Sequence, residues 1–436
     1  KNQSYNIHAE GIAMQSIRKR LTGGALDGAL AELYGAEAVN AQRARYLMLE
    51  REFAAQFGEN ENEALFSAPG RSEIGGNHTD HQLGRVLAAA VTVDVCAVAA
   101  PRNDNLVCIH SLGYPPLTVR LDQLAPNAGE QNASEALVRG IAERFAQQGR
   151  NVGGFDAVTV SDVPKGSGLS SSAAFSILVC TIFSELFNGG KIPPVEQALA
   201  SKYAENKHFG KPSGLMDQLA CAVGGFIAID FEQPEHPRIE KIERDLAELG
   251  YAICIVNCGG NHADLTPEYA SIPAEMGAVA RFFGKTVLRE VDERAFYAAL
   301  PELRKTVSDR AILRAIHFFG ENERVVKQAD ALKNGDAEAF RCLMNESGRS
   351  SFQYLQNVCP GDPNERGLAL ALALSERMLS GAGAWRVHGG GFAGTIQALV
   401  PLDRVAAYQA EIERVLGEGS CYRFAVRPVG GVMLRA

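Results

Sequence analysis

A run of small and hydroxyl residues, Gly166-Ser167-Gly168-Leu169-Ser170-Ser171-Ser172-Ala173-Ala174, lies between strand-like Ala157-Val158-Thr159-Val160 and helix-compatible Phe175-Ser176-Ile177-Leu178-Val179. A chain so arranged turns sharply out of a sheet and into a helix. Glycines allow several backbone N–H groups to converge there, and the helix start adds unpaired donors and partial positive charge at the same point. The segment therefore reads as an anion cradle suited to phosphate, with serine hydroxyls placed to meet phosphate oxygens or a cation. A flexible serine linker would not be pinned between two ordered elements.

Composition excludes more than it assigns. The 436 residues suffice for two domains or one large one, and the 46% apolar and 22% charged shares are those of a globular protein. Net charge is −8 and no basic stretch could track a nucleic-acid backbone, so a nucleotide would need a local site. The nine cysteines are scattered singly, several of them inside apolar runs (Cys96, Cys180, Cys254), which predicts reduced, buried thiols in a cytoplasmic protein. No basic segment followed by a hydrophobic stretch suggests a secretory leader. The apolar run from Val86 to Ala100 is interrupted by Thr92 and Asp94 and is too short to cross a bilayer, so one or two strands and no membrane association are expected.

Tyr46, Leu49, Phe53 and Phe57 recur at helical spacing, with Gly58 at the expected stop. Residues 64–109 turn to a β pattern with a turn at 101–104, and a βα alternation follows, with a helix from Pro194 to about Lys207. Ala222 to Asp230 reads as a turn and strand. Prolines and charges between Glu232 and Arg238 mark a domain boundary. Beyond it the pattern gives a strand at Tyr251–Val256, helices from about Pro273 to Ser350 and a strand-rich end. Gly284-Lys285-Thr286 lacks the glycine spacing of a P-loop and reads as a helix end. Gly389-Gly390-Gly391-Phe392-Ala393-Gly394 fits G-x-G-x-x-G but precedes strand-like Thr395–Val400. It is a glycine loop between strands, serving either close backbone approach or a tight turn.

Two further clusters carry chemistry. Gly70-Arg71-Ser72-Glu73-Ile74-Gly75-Gly76-Asn77-His78-Thr79-Asp80-His81 crowds a cation, an amide, imidazoles and a carboxylate onto a glycine-rich connection, side chains that make directional hydrogen bonds to hydroxyls. Glu205 to Gln218 separates two carboxylates, Glu205 and Asp217, by a loop with a proline and glycines. One could reach a metal while the other faces an acceptor hydroxyl, or both could be caps and solvated charges.

In this order the clusters resemble the galactokinases of the GHMP kinase superfamily. The pattern G-R-V-N-L-I-G-E-H-T-D-Y is similar to residues 70–81, G-x-G-L-S-S-S-A matches Gly166 to Ala173, and F-x-G-x-x-x-G-x-M-D-Q resembles Phe209 to Gln218 with one shifted glycine. Gly389 to Gly394 and Leu343-Met344-Asn345-Glu346-Ser347 add to the likeness. The resemblance implies an α+β, two-domain GHMP kinase fold, with a ribosomal-protein-like N-terminal domain and an α/β C-terminal domain. The corresponding division is a helical extension at 1–60, an ATP- and sugar-binding domain at 61–235 and a C-terminal domain at 236–436.

It implies further that Asp217 is the base facing a sugar's anomeric hydroxyl and Arg71 the cation beside the reacting groups. Asn77, His78, Thr79, Asp80, Gly214 and Tyr269 would line the sugar. Gly166, Ser167, Gly168, Leu169, Ser170, Ser171 and Ser172 would cradle the phosphates of ATP, with Ser111 near the nucleotide. Ser172 and Glu205 would hold Mg²⁺, a hard cation that prefers oxygen ligands. The expected partners are thus a small-molecule sugar and ATP, with a monomeric chain.

Three positions depart from the pattern: Asn77 replaces a glutamate, His81 a tyrosine and Glu73 an asparagine. The family's glutamate contacts a sugar hydroxyl, so an amide there could redirect preference toward N-acetylgalactosamine, arabinose or galacturonate. A galactose- and ATP-responsive regulator without catalysis is the alternative of a different class, and the intact serine run with Arg71 and Asp217 argues against it.

Overall fold

The computed structural model describes residues 16–164, 168–211, 213–260 and 265–435. Three helices open the described chain, α1 (Ile17–Thr22), α2 (Asp27–Tyr34) and α3 (Val39–Phe57). Tyr46, Leu49 and Phe53 form the buried stripe of α3, and Gly58 ends it at a positive φ of 85°. Next come β1 (Ala64–Gly75), β2 (Arg85–Pro101), β3 (Leu106–Ser111), β4 (Leu117–Arg120), α4 (Ser134–Gln147) and β5 (Phe155–Ser161). The serine run leads into α5 (Ser171–Asn188), followed by α6 (Pro194–Ala204), a π-helical turn Glu205–Phe209, α7 (Met216–Val223), β6 (Phe226–Asp230) and β7 (Arg238–Ile242).

The remainder supplies β8 (Tyr251–Asn257), α8 (Thr266–Phe282), α9 (Glu293–Ala298), α10 (Leu300–Leu303), α11 (Asp309–Asn334) and α12 (Ala337–Ser350). A π-helical turn Ser351–Leu355, α13 (Gly367–Leu379), β9 (Ala384–His388), β10 (Thr395–Pro401), α14 (Val405–Leu416), β11 (Cys421–Phe424) and β12 (Val432–Met433) complete it. An eight-stranded sheet runs β12-β1-β2-β5-β3-β4, with β6 beside β2 and β7 beside β6. A four-stranded antiparallel sheet, β11-β8-β10-β9, forms the second layer system.

The long apolar run of β2 follows from its place between two layers. Cys96, Val98 and Ala100 pack against α1–α3, whereas Val95, Ala97 and Ala99 face the core that contains α5. Both faces are dry, so hydrophobic residues need not alternate with polar ones. Helix α5 is long and apolar enough to cross a membrane, but 61% of it is buried within the fold, as befits a central core helix.

Two sequence boundaries move. Residues 232–237 connect β6 to β7 inside one hairpin, so the expected division at 235/236 falls within the large sheet. Its prolines and charges are turn residues, and turn chemistry marks a hairpin as readily as a domain edge. The chain also returns to that sheet at its end, through β12 and the Val91–Val426 bridge, so 236–436 is not confined to the second lobe. Helix α8 begins at Thr266, with Pro267 in its first turn and Pro273 in its interior, rather than at Pro273.

Candidate active site

Strand β1 carries Arg71 to the serine run. Its pairing with β2 slips between Pro69 and Arg71, and Gly70 allows the close pass, since a Cβ there would meet the Leu169 carbonyl oxygen at 2.9 Å. The Arg71 N–H then donates to that oxygen at 3.1 Å. Gly168 and Ser170 both sit in the left-handed region, at φ 71° and 56°, which turns the run into α5. Leu169 is an anchor whose side chain is buried in the main core, so only its backbone belongs to the loop surface. Gly166 and Ser167 lie outside the described residues.

Two side chains converge on Asp217, in the first turn of α7, where the helix N-terminus favours a carboxylate. Arg71 Nε donates to Asp217 Oδ1 at 2.7 Å, Ser170 Oγ donates to Oδ2, and the Arg71 guanidinium also donates to the Gly168 carbonyl. Burial pushes the Asp217 carboxyl up, but the Arg71 charge and the hydrogen bonds from Arg71 and Ser170 outweigh it and hold the group below its usual range. It is therefore ionised, and its side chain is still 32% exposed.

The loop after β1 winds through positive φ at Gly76 and His78 and places Asp80 against Gly214. A Cβ at Gly214 would come within 2.8 Å of an Asp80 oxygen, so glycine keeps the carboxylate accessible there. Burial raises the Asp80 carboxyl above its ordinary value; the His78 ring opposes that and Asp217 adds to it. His78 Nε2 donates to the Gly390 carbonyl at 2.9 Å, and the Tyr269 hydroxyl donates to Gly391 at 2.8 Å. A side chain at Gly390 would strike the Tyr269 ring at 2.6 Å. The glycine loop thus serves close backbone approach and links His78 to Tyr269. Asp217, Asp80, Gly214, His78 and Tyr269 form one connected neighbourhood.

Two expected sugar contacts are placed otherwise. Asn77 and Thr79 are fully buried. Asn77 donates to Glu73 at 2.9 Å and to Gly389 O at 2.7 Å, while its carbonyl accepts from Asn357 at 2.8 Å. The Thr79 hydroxyl lies against the carbonyls of Gly76 and Arg85. Both side chains are used to shape the loop, because a tightly wound segment must satisfy its own buried polar groups.

The galactokinase galactose-binding signature matches residues 51–101, and the GHMP kinases N terminal domain matches residues 136–225. The crystal structure of Lactococcus lactis galactokinase complexed with galactose superposes with a TM-score of 0.76 at 26% identity, over 89% of this chain and 100% of that one. The chain belongs to the GHMP kinase superfamily. More distant GHMP-type folds include the Methanococcus jannaschii mevalonate kinase, with a TM-score of 0.59, 15% identity and coverage of 83% and 98%. A D-glycero-D-manno-heptose 1-phosphate kinase from Bacteriodes thetaiotaomicron gives 0.58 and 16% over 86% and 99%. These two likenesses concern the fold alone.

In this GHMP kinase, Ser171 and Ser172 are exposed at the start of α5. Glu205 is buried and accepts from Gln218 Nε2 at 2.8 Å, and Gln218 follows Asp217 on α7. Ser111 ends β3 opposite Thr159, whose hydroxyl donates to it at 2.8 Å, on the strand that feeds the serine run.

A buried polar seam behind the site escaped the sequence reading. His388 Nε2 lies 3.0 Å from Ser72 Oγ, Gln397 donates to the same hydroxyl at 2.6 Å, and Arg386 pairs with Glu73 at 2.8 Å. A Cβ at Gly168 would touch the His388 ring at 3.2 Å, so the seam also backs the phosphate loop. The available signal was the alternation of Arg386 and His388 with apolar residues, and of Thr395 and Gln397 likewise. In register His388 faces Thr395 and Arg386 faces Gln397, giving one polar face.

Proposed function

We propose that this GHMP kinase is an ATP-dependent galactokinase, moving the γ-phosphoryl group of ATP to the anomeric hydroxyl of D-galactose to give α-D-galactose 1-phosphate and ADP. The observation that carries the reading is the joint hold of Arg71 and Ser170 on Asp217, which fixes one ionised carboxylate between the serine run and the His78–Asp80 loop. The galactose-bound Lactococcus lactis relative and the galactose-binding signature support the choice of sugar.

Asp217 is a weak base by itself, and the reaction asks for little more. In a loose phosphoryl-transfer transition state the attacking hydroxyl becomes acidic only as the new bond forms, so an ionised carboxylate in place can accept the proton late. Arg71 keeps that carboxylate charged and offsets negative charge gathering on the transferred group. Gly166 to Ser172 would hold the ATP phosphates through backbone N–H groups and hydroxyls, with Ser111 nearby. His78, Asp80, Gly214 and Tyr269 would meet the sugar hydroxyls. Catalysis is then mainly positioning and electrostatics.

Mg²⁺ fits the residues available. Ser172 and Glu205 offer hard oxygen donors, and beside Glu205 the Gln218 Oε1 atom is a buried acceptor with no donor among the described residues. Such a site suits a cation that takes most of its ligands from phosphates and water; when bound, it would neutralise phosphate charge. We place the enzyme in the cytoplasm, working as a monomer.

The case for a charged or acetylated sugar rested on an amide at position 77 facing the substrate, and the burial of Asn77 removes that premise. A coupled ADP-release assay over galactose, N-acetylgalactosamine, arabinose and galacturonate tests the assignment. Galactose is expected to dominate. Asp217→Asn is expected to retain nucleotide binding and lose about 10²- to 10⁴-fold in kcat; turnover within a few-fold of wild type would remove Asp217 from its role.

A further inference from the structure

A cavity of about 680 Å³ opens in the second lobe, and none of its lining residues belongs to the site described above. Arg341, Asn345 and Arg349, four residues apart on α12, form one wall and Phe352 continues it; Leu372 of α13 faces them, with Trp385 of β9 at the base. This volume lies within the range of small-molecule sites, about 300–1,000 Å³.

Helix α12 has a second face turned to the sugar loop. Ser347 Oγ donates to Glu321 at 2.5 Å, and the same Glu321 oxygen accepts from the Gly76 N–H at 3.0 Å. Ser350 Oγ lies 2.9 Å from His317 Nδ1, and His317 Nε2 donates to the Asn77 carbonyl at 2.9 Å. Ser351, next to cavity-lining Phe352, donates to Asn77 Oδ1 at 3.4 Å. Helix α12, with Glu321 and His317 of α11 as relays, therefore stands between the cavity and the backbone that presents His78 and Asp80. A shift of α12 by a fraction of an ångström would be felt on both faces, because packed interiors do not absorb displacement smoothly.

The lining selects a ligand. Two aromatic rings and an aliphatic wall suit a planar apolar body. Arg341 is engaged by Glu338, and Glu346 lies 3.7 Å from Arg324, which leaves the exposed Arg349 as the cation addressing an acid. Glu376 on the opposite helix opposes a second negative charge. We infer that the cavity is an effector site for a small aromatic monocarboxylate, and that its occupancy alters galactose affinity through α12.

Trp385 is the chain's single tryptophan, so its emission reports the cavity directly. Titrating the full chain with 3-phenylpropionate is expected to give a saturable blue shift as water leaves the ring. The neutral 3-phenylpropanamide is expected to bind about tenfold more weakly, the loss of one charge-assisted contact. Arg349→Gln should reproduce that loss and the cavity-filling Ala373→Phe should abolish the response, both with kcat unchanged in the absence of probe. Calorimetry should show galactose shifting the probe's Kd by the same factor, about fivefold or more, as the probe shifts that of galactose. Absence of a saturable shift, its persistence in Ala373→Phe, or mutually independent binding would each overturn the inference. Galactose enters only as a ligand, so failure here is distinct from failure of the kinase reading, which is read by turnover.

Discussion

Asp217 and Arg71 act as one unit, and their coupling has a pH signature. Because Arg71 keeps the Asp217 carboxyl below its ordinary value, the base remains ionised until the medium is more acid than a free aspartate requires. The acid limb of kcat should therefore lie below about pH 4, the ordinary carboxyl value, where protonation removes the acceptor. Arg71→Gln removes the main opposing charge and leaves burial countered chiefly by the Ser170 hydrogen bond. Its residual activity should fall off at higher pH than that of the wild type; an unmoved limb in a pH–rate profile would contradict the coupling. Position 77 gives a second test. Asn77→Ala should lower stability by about 1–3 kcal/mol by stranding buried partners, seen as a reduced urea midpoint, whereas a mere sugar contact would raise KM with stability intact. Arg71 and Asp217 were legible because they sit in glycine-bounded motifs. The burial of Asn77 was not, since the partners that take up its hydrogen bonds, such as Asn357 and the Gly389 carbonyl, lie up to 312 residues away.

At the scale of elements, the opening helices are tied to the sheet through Asp94, a fully buried carboxylate in the middle of β2. It accepts from Tyr34 of α2 and Arg45 of α3, each at 2.6 Å, from Ser67 of β1, and from Arg427 near the chain end at 3.4 Å. Burial would raise this carboxyl, but Arg45 and Arg427 hold it below its usual value. Asp94→Asn leaves two guanidinium groups under-compensated and should cost about 3–5 kcal/mol, measured by urea unfolding. Removing residues 1–60 would bare the outer face of Leu65, Cys96 and Val98 as well. In the sequence Asp94 looked like an interruption in a strand, because a buried acid shows itself only when its cations arrive from other elements. The stripe of α3 and the strand pattern of residues 64–109, by contrast, are local periodicities and could be read directly. The β6–β7 hairpin shows the limit of such reading: the same prolines serve a turn or a boundary, and only strand pairing decides.

Over the whole molecule, the two sheets share an apolar core, but a buried polar seam also runs between them, which makes part of the stability depend on protonation. His317 is buried and pushed down to about 4 by that burial, against the pull of Glu321, so it folds in neutral form with its Nε2 proton on Asn77 O. Its unfolded value is higher, so the unfolded chain binds the extra proton. Stability is full above about pH 6.5 and declines as pH falls toward 4, by on the order of 3 kcal/mol from this group; His317→Gln should flatten the thermal-melt profile over that interval. The Glu73–Arg386 pair joins β1 to β9 at 2.8 Å, with Arg386 wholly buried and also donating to Glu73 O at 3.2 Å. Glu73→Gln strands the guanidinium and should cost about 3–5 kcal/mol, whereas the double change Glu73→Met with Arg386→Met should recover most of it, since a buried ion pair is rarely more stable than packed hydrocarbon. The recovered variant would still lack the acceptor that orients Asn77, and with it the anchorage of the Gly389 loop, to which His78 and Tyr269 donate. Galactose affinity by calorimetry should therefore remain depressed when the urea midpoint has returned. If both return together, the pair contributes to folding only, and the orientation of the sugar loop must be set elsewhere.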